Sequence, residues 1–376
     1  MNATDRPSKG KPLQQTALHH QHTELRARIV PFAGYAMPLQ YPTGALKEYH
    51  AVRGDDGAGL FDISHMGQIR VEGREALAFL QQVTTNDVTR LCDGQVHYSA
   101  LLNEEGGFID DITTYRLAAD RYYLCVNAAN RQADVAHLAR QAAQYAVTVT
   151  DESDATALLA LQGAGAQAML QPLTDIDLET IAYYHFAQGA LCGAPALISR
   201  TGYTGEDGFE LYLENGRAAE VWQALLDAGA LPAGLAARDM LRTEMGYALY
   251  GHEIHAQVTP VEANLMWITD MDKGPFIGRA AVADRLQQGR RKALIALRLT
   301  ERGIPREGYP VLADGRRVGA VTSGLFSPLA GCGVALAYVA PDRAECGDLA
   351  VEIRGRAVAA ERTRTPFVRS RVRRSR

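Results

Sequence analysis

The chain has 376 residues, enough for two to three domains at about 150 residues each, and its 47% hydrophobic composition supports packed cores without disulfide or metal staples. The 39 lysines and arginines against 43 aspartates and glutamates leave −4, but seven arginines fall in the last 15 residues, where no acid occurs, so the rest carries −11, which excludes a dedicated nucleic-acid binder. Five scattered cysteines without a CxxC pair indicate a reducing compartment, hence the cytoplasm, and no apolar run approaches the roughly 18 residues of a membrane helix.

Residues 1–15 are polar and read as a disordered leader. His19, His20 and His22 follow without a carboxylate or thiolate partner and read as surface histidines rather than a metal site. IDDITTYRL (109–117) and RYYLCVNA (121–128) are β-branched and aromatic runs joined by Ala-Ala-Asp, a hairpin, and 131–146 continues as an amphipathic helix. LALQGAGAQAML (159–170) imitates a dinucleotide fingerprint but has no carboxylate at the ribose distance, so Gly163, Gly165 and Ala168 read as a tight strand-to-helix turn. A helix over 215–229, with Asn215 as N-cap and Gly229 as stop, precedes another from about Ala236 to Leu249. HEIH (252–255) is one residue short of the zinc-protease spacing. From KALIALRLT (292–300) onward, short alternating runs between Gly, Pro and Asp turns predict a small all-β domain starting near Gly289. The fold class is α+β, no internal repeat is visible, and the basic tail 369–376 is low in complexity.

Three stretches break the expected polarity. In NEEGGFIDDITTY, Asp110 and Asp111 enter a β run whose alternation sends them to opposite faces, so one points inward, where a carboxylate is costly unless hydrogen-bonded or paired. In SRTGYTGEDGFELYLENG, glycine turns present Glu206 and Asp207 before a strand carrying Glu210, an acceptor-only group suited to a pair of N–H donors such as those of a pterin or guanine edge. In AARDMLRTEMG, Arg238, Leu241, Arg242 and Met245 share one helix face, a pattern open to anion binding or to packing over the core.

The order and wording of these motifs resemble the aminomethyltransferase (T-protein) family of the glycine cleavage system. The matching segments include RIVPFAGYAMPLQYPTG, LLNEEGGFIDDITTYRL, YYLCVNAANR, RTGYTGEDGFELYL, GLAARDMLRTEMGYALYGHEI, TPVEANLMW and VTSGLFSP, and they run from about Thr16 to Val368. The resemblance implies a multi-lobed folate-binding region around a central channel (16–288), a C-terminal β-barrel-like domain (289–368), and transfer of a methylene from aminomethyl-lipoyl H-protein to tetrahydrofolate with release of ammonia. Carried over by motif, Asp111 is the catalytic aspartate and Glu210 with Arg238 the folate-contacting pair. Tyr98, Tyr115, Val126 and Asn127, with Trp267 of similar status, are expected to line the pterin pocket. No metal, nucleic acid or membrane is implied, and a monomer or weak dimer is expected.

The chain departs from the family at Tyr35, where Trp is common, at His255, where Asp is frequent, and in lacking a C-terminal tyrosine. Three related readings compete. The flavin-linked dehydrogenases carry a large domain before the matching part. A folate-dependent demethylase of another small donor would share this fold. The non-catalytic folate-binding protein of iron–sulfur assembly has a reactive cysteine where this chain reads DKGPFIGR.

Overall fold

The computed structural model describes residues 12–373. Gln14 pairs with Tyr35, so residues 12–15 do not form part of the leader expected over 1–15; residues 1–11 lie outside the described residues. The hairpin Arg28–Phe32 with Tyr35–Gln40 precedes three lobes, two built on open sheets and one on a barrel.

The first lobe is a five-stranded antiparallel sheet in the order Val96–Leu102, Phe108–Ala118, Arg121–Val126, Gly67–Glu72, Thr148–Asp151. The second is a six-stranded sheet, Phe186–Leu191, Ala194–Ser199, Gly208–Glu214, Thr156–Gln162, Gly59–Asp62, Leu231–Pro232. Contrary to the sequence reading, these lobes repeat one another. Each runs strand, helix, a short 3-10 turn capped by an aspartate (Asp87 or Asp177), three antiparallel strands, helix. The copies meet where Gln95 pairs antiparallel with His185, flanked by Val96 N–H to Tyr184 O and Phe186 N–H to Gly94 O, both 2.9 Å. Equivalent residues joining each other across the junction is the mark of a local two-fold axis.

Between the sheets lies a buried cluster that includes Phe61, Val96, Tyr115, Tyr123, Phe186 and Tyr212, closed by Ala237 and Leu241 of the helix Leu235–Met245. That helix stops short of the expected Leu249 because Gly246 takes the left-handed conformation (φ +71°), so that its N–H donates to Thr243 O and the Tyr247 N–H to Arg242 O. The helix expected from Asn215 begins at Ala218, after a 3-10 turn. Asn215 does not cap it, because its side-chain amide is committed to Asp154 O. The helix after the first lobe ends at Ala142, short of residue 146.

The helix Arg279–Gln288 ends at Gly289, and six strands between Ala293 and Thr363 close into a barrel around Leu297, Val311, Ala335 and Val351. His22 corrects the surface reading: it is fully buried, bonded through Nε2 to Asp62 (2.8 Å) and through Nδ1 to the Tyr41 hydroxyl (2.9 Å). Glu206 likewise faces inward, in an ion pair with Arg53 (2.7 Å), and Asp207 is held by Arg200.

Candidate active site

The strand Phe108–Ala118 can start where it does only because Gly107 lacks a side chain; a Cβ there would lie 1.8 Å from Ala256 O. Alternation then holds, with Asp110 fully buried and Asp111 half-buried. Yet the two carboxylates do not part company, because Asn127, just past the end of the adjoining strand, reaches both. Its Nδ2 lies 2.8 Å from Asp110 Oδ1 and 2.7 Å from Asp111 Oδ1, and its backbone N–H donates to Asp110 Oδ2 at 2.7 Å. The Tyr98 hydroxyl donates to the other Asp111 oxygen at 2.7 Å, and the Tyr98 ring tilts against the exposed Trp267, centroids 5.7 Å apart. Burial raises the proton affinity of Asp111, and the Tyr98 and Asn127 hydrogen bonds oppose that rise.

A second group of side chains comes from the other lobe. Glu210 accepts from Thr201 Oγ1 at one oxygen (2.5 Å), and no protein donor among the described residues reaches the other. Arg238 lies with its guanidinium 5.1 Å from the centroid of Tyr203, and that guanidinium donates to no protein acceptor among the described residues. Burial raises the Glu210 carboxyl and lowers the Arg238 guanidinium, each partly offset by the other's charge. Arg242, one turn on, is not available in this way: it is bonded to Asp239, Glu253, Ser323 and Tyr247 O. The glutamate of HEIH is therefore a structural anchor for an arginine.

Tyrosines join the two groups. Tyr203 feels the charges of both Asp111 and Arg238 and stacks on Tyr247 (5.5 Å, 26°), while Tyr184 lies near Glu210, Tyr247 and Tyr98. Tyr98, Asp111, Tyr184, Tyr203, Glu210, Arg238 and Tyr247 are all half-buried, and these mutual contacts gather them into one partly exposed cluster able to line a single crevice. Its walls are aromatic, one end carries a carboxylate, and the other carries a carboxylate and a guanidinium with hydrogen-bonding capacity unused. That arrangement suits a flat, polar heterocycle.

Residues 18–273 match the GCVT N-terminal domain, and residues 292–369 match the glycine cleavage T-protein C-terminal barrel domain. The chain belongs to the glycine cleavage T-protein family. The aminomethyltransferase of Thermus thermophilus is 50% identical to it, over 95% of this chain and 99% of the relative. That of Chloroherpeton thalassium is 45% identical at the same coverage. The crystal structure of glycine cleavage system aminomethyltransferase T from Bartonella henselae shares its fold with a TM-score of 0.89 at 37% identity, covering 96% of this chain and 99% of that one.

Of the T-protein positions singled out in the sequence, Asp111, Asn127 and Tyr98 are brought into direct contact, with Trp267 beside them, and Glu210 with Arg238 stand close by. Tyr115 lies beneath, its hydroxyl 2.8 Å from that of Tyr212 in the central core. Val126 does not join them: its side chain is packed with Ile69, Leu124 and Leu138 inside the first lobe. Strand alternation turns it away from Asn127, its neighbour in the chain. Sequence reasoning missed Thr201, Tyr184, Tyr203 and Tyr247. Tyr203, set between Gly202 and Gly205, is the one of these that the glycine-turn motif contains.

Proposed function

We propose that this crevice is the tetrahydrofolate site of the aminomethyl transfer in glycine cleavage, in which the methylene of aminomethyl-lipoyl H-protein passes to tetrahydrofolate and ammonia leaves. The single observation that carries the assignment is that the Arg238 guanidinium, stacked on Tyr203 but bonded to no protein acceptor among the described residues, and the second Glu210 oxygen, reached by no donor among them, stand near each other in an aromatic cluster. Glu210 would accept N–H groups of the pterin, Arg238 would donate to it, and Tyr98, Tyr184 and Tyr203 would supply aromatic surface around it. Tetrahydrofolate supplies the nucleophilic amine. Asp111, oriented by Tyr98 and Asn127, stabilises positive charge that develops beside it, so the protein's contribution is chiefly positioning and electrostatics.

The H-protein carrier meets this chain near Trp267, where Arg290 borders a hollow of about 450 Å³ shared with Val261, Met266 and Leu286. The folate-binding part spans 16–288 and the barrel 289–368, and the chain works in the cytoplasm as a monomer or weak dimer. Glycine cleavage reconstituted with lipoylated H-protein and tetrahydrofolate tests the assignment. Asp111→Asn should lower turnover by roughly 10²–10³, about 3–4 kcal/mol, with folate affinity nearly unchanged. Glu210→Ala should weaken folate binding in calorimetry by about 1–3 kcal/mol. Equal kinetic losses for Asp110→Asn and Asp111→Asn, or unchanged affinity in Glu210→Ala, would reject these roles.

A further inference from the structure

The helix Arg131–Ala142 packs on the strand that carries Asp110 and Asp111 and brings a third carboxyl, Asp134, against Asp110. Asp134 is fully buried, and neither of its oxygens receives a hydrogen bond from any donor among the described residues. As a carboxylate it would be an unsolvated anion next to two others. As a carboxylic acid it needs a single acceptor. Asp110 supplies that acceptor. It is fully buried too, but its oxygens take hydrogen bonds from Asn127 N–H (2.7 Å), Asn127 Nδ2 (2.8 Å) and Asn130 Nδ2 (2.5 Å), the surroundings of an ionised group.

The remaining polar groups do not change this balance. Burial and the charge of Asp111, beyond it on the strand, push the Asp110 carboxyl up to about 7, and the hydrogen bonds from Asn127 and Asn130 oppose that rise and favour its ionised form over that of the donor-less Asp134. Tyr250, from the loop after the helix Leu235–Met245, has its hydroxyl on Phe108 O. On Asp134's own helix, Arg140 is turned to His137 Nδ1, and no cation among the described residues is ion-paired with Asp134. Burial, then the neighbouring Asp110 and Asp111, push the Asp134 carboxyl up to about 11, in agreement with the donor count.

We propose that Asp134 is a neutral carboxylic acid that donates its proton to Asp110 and serves as a positioning residue for the transfer. The proton secures Asp110 as the acceptor that orients Asn127, and Asn127 in turn orients Asp111. Three clustered carboxyls are thereby reduced to one ionised group at the crevice surface and one ionised group locked behind it. The kinetic consequence rests on Asp111 being the catalytic group; the protonation state of Asp134 does not.

Infrared spectroscopy of the full chain at neutral pH is the direct test. The difference spectrum of wild type minus Asp134→Asn should contain the carbonyl stretch of a carboxylic acid, and that band should persist in Asp111→Asn. Asp134→Asn, whose amide also donates to Asp110, should keep turnover within about threefold and leave the acid limb of its pH profile in place, whereas Asp134→Leu should lose about tenfold or more in kcat with folate affinity within about twofold. The proposal is overturned if wild type shows no such band, if the band survives Asp134→Asn, or if folded Asp134→Asn falls as far as Asp134→Leu. Failure of the Asp111 assignment would appear elsewhere, as unimpaired turnover of Asp111→Asn, and would leave the band untouched.

Discussion

At Asp111 two opposing effects set the charge on one carboxyl: burial favours the neutral acid, and the Tyr98 hydroxyl and the Asn127 amide favour the anion. If transfer needs the anion, turnover must fall as the pH drops through the Asp111 pKa. Tyr98→Phe removes one of the two stabilising donors and moves that pKa further up, so the acid limb of the kcat profile should begin at higher pH than in wild type. A limb that stays where it was would show that another group controls it. The charged residues of the candidate site were legible because their types are conspicuous: adjacent aspartates in a β run, a glutamate inside an apolar strand, an arginine on a half-apolar helix face. Val126 was misread because chain proximity to Asn127 says nothing of face, and the tyrosines were missed because an aromatic residue looks the same in a core as in a ligand wall.

Among the elements, those with a clear β composition were readable. The hairpin at Phe108–Val126 and the barrel strands are short β-branched, aromatic or apolar runs, and their turns carry glycine or aspartate. The duplication was not readable, because the ladders align residues of unlike chemistry. Val96 lies opposite Tyr115 and Phe186 opposite Ser199; one strand further, Tyr115 faces Tyr123 and Ser199 faces Glu210. Glu210 therefore occupies the place of a tyrosine, and counting back along the strands puts Asp111 at the place of Pro195. The short N-terminal helix His19–Glu24 was misjudged for a related reason: its partners are remote, His22 meeting Asp62 of the second lobe and the Trp222 ring at 5.3 Å. Burial alone would raise the Asp62 carboxyl, but hydrogen bonds from His22 and Thr16 outweigh it and hold it below the usual range. The stabilisation this brings is present above the unfolded pKa of about 3.9 and is lost as the pH falls through the lower folded value. We expect His22→Leu to cost about 3–5 kcal/mol at neutral pH by leaving a buried carboxylate short of its partner, against about 0.5 kcal/mol or less for a surface histidine. Denaturant midpoints of the two proteins decide between these figures.

Over the whole molecule, distant parts of the chain converge on the helix Leu235–Met245 and the glycine turn beside it. The tail, which reads as a simple basic run, lies along this junction: Arg371 N–H donates to Gly205 O (2.7 Å) and its Nε to Glu206 (2.8 Å), sharing that buried carboxylate with Arg53. Removing residues 369–376 should therefore lower stability by about 1–3 kcal/mol in chemical denaturation, while turnover per folded molecule stays within about threefold. A truncated protein of full stability but poor turnover would instead place the tail in carrier docking. The helix itself presents Arg238 to the crevice, ties Arg242 to Ser323 of the barrel (2.8 Å), and holds through Glu244 both Arg53 and Ser327. Three attachments within two turns leave it no means of shifting for one neighbour alone. Binding and unfolding are then linked throughout the chain: a folate analogue gripped by Arg238 should slow amide hydrogen exchange in barrel strands it never touches, and the two matched domains should melt in one transition whose midpoint climbs with ligand concentration. Exchange protection confined to the sheet lobes, or a barrel that melts separately at an unchanged temperature, would mean that the helix joins the parts without coupling them.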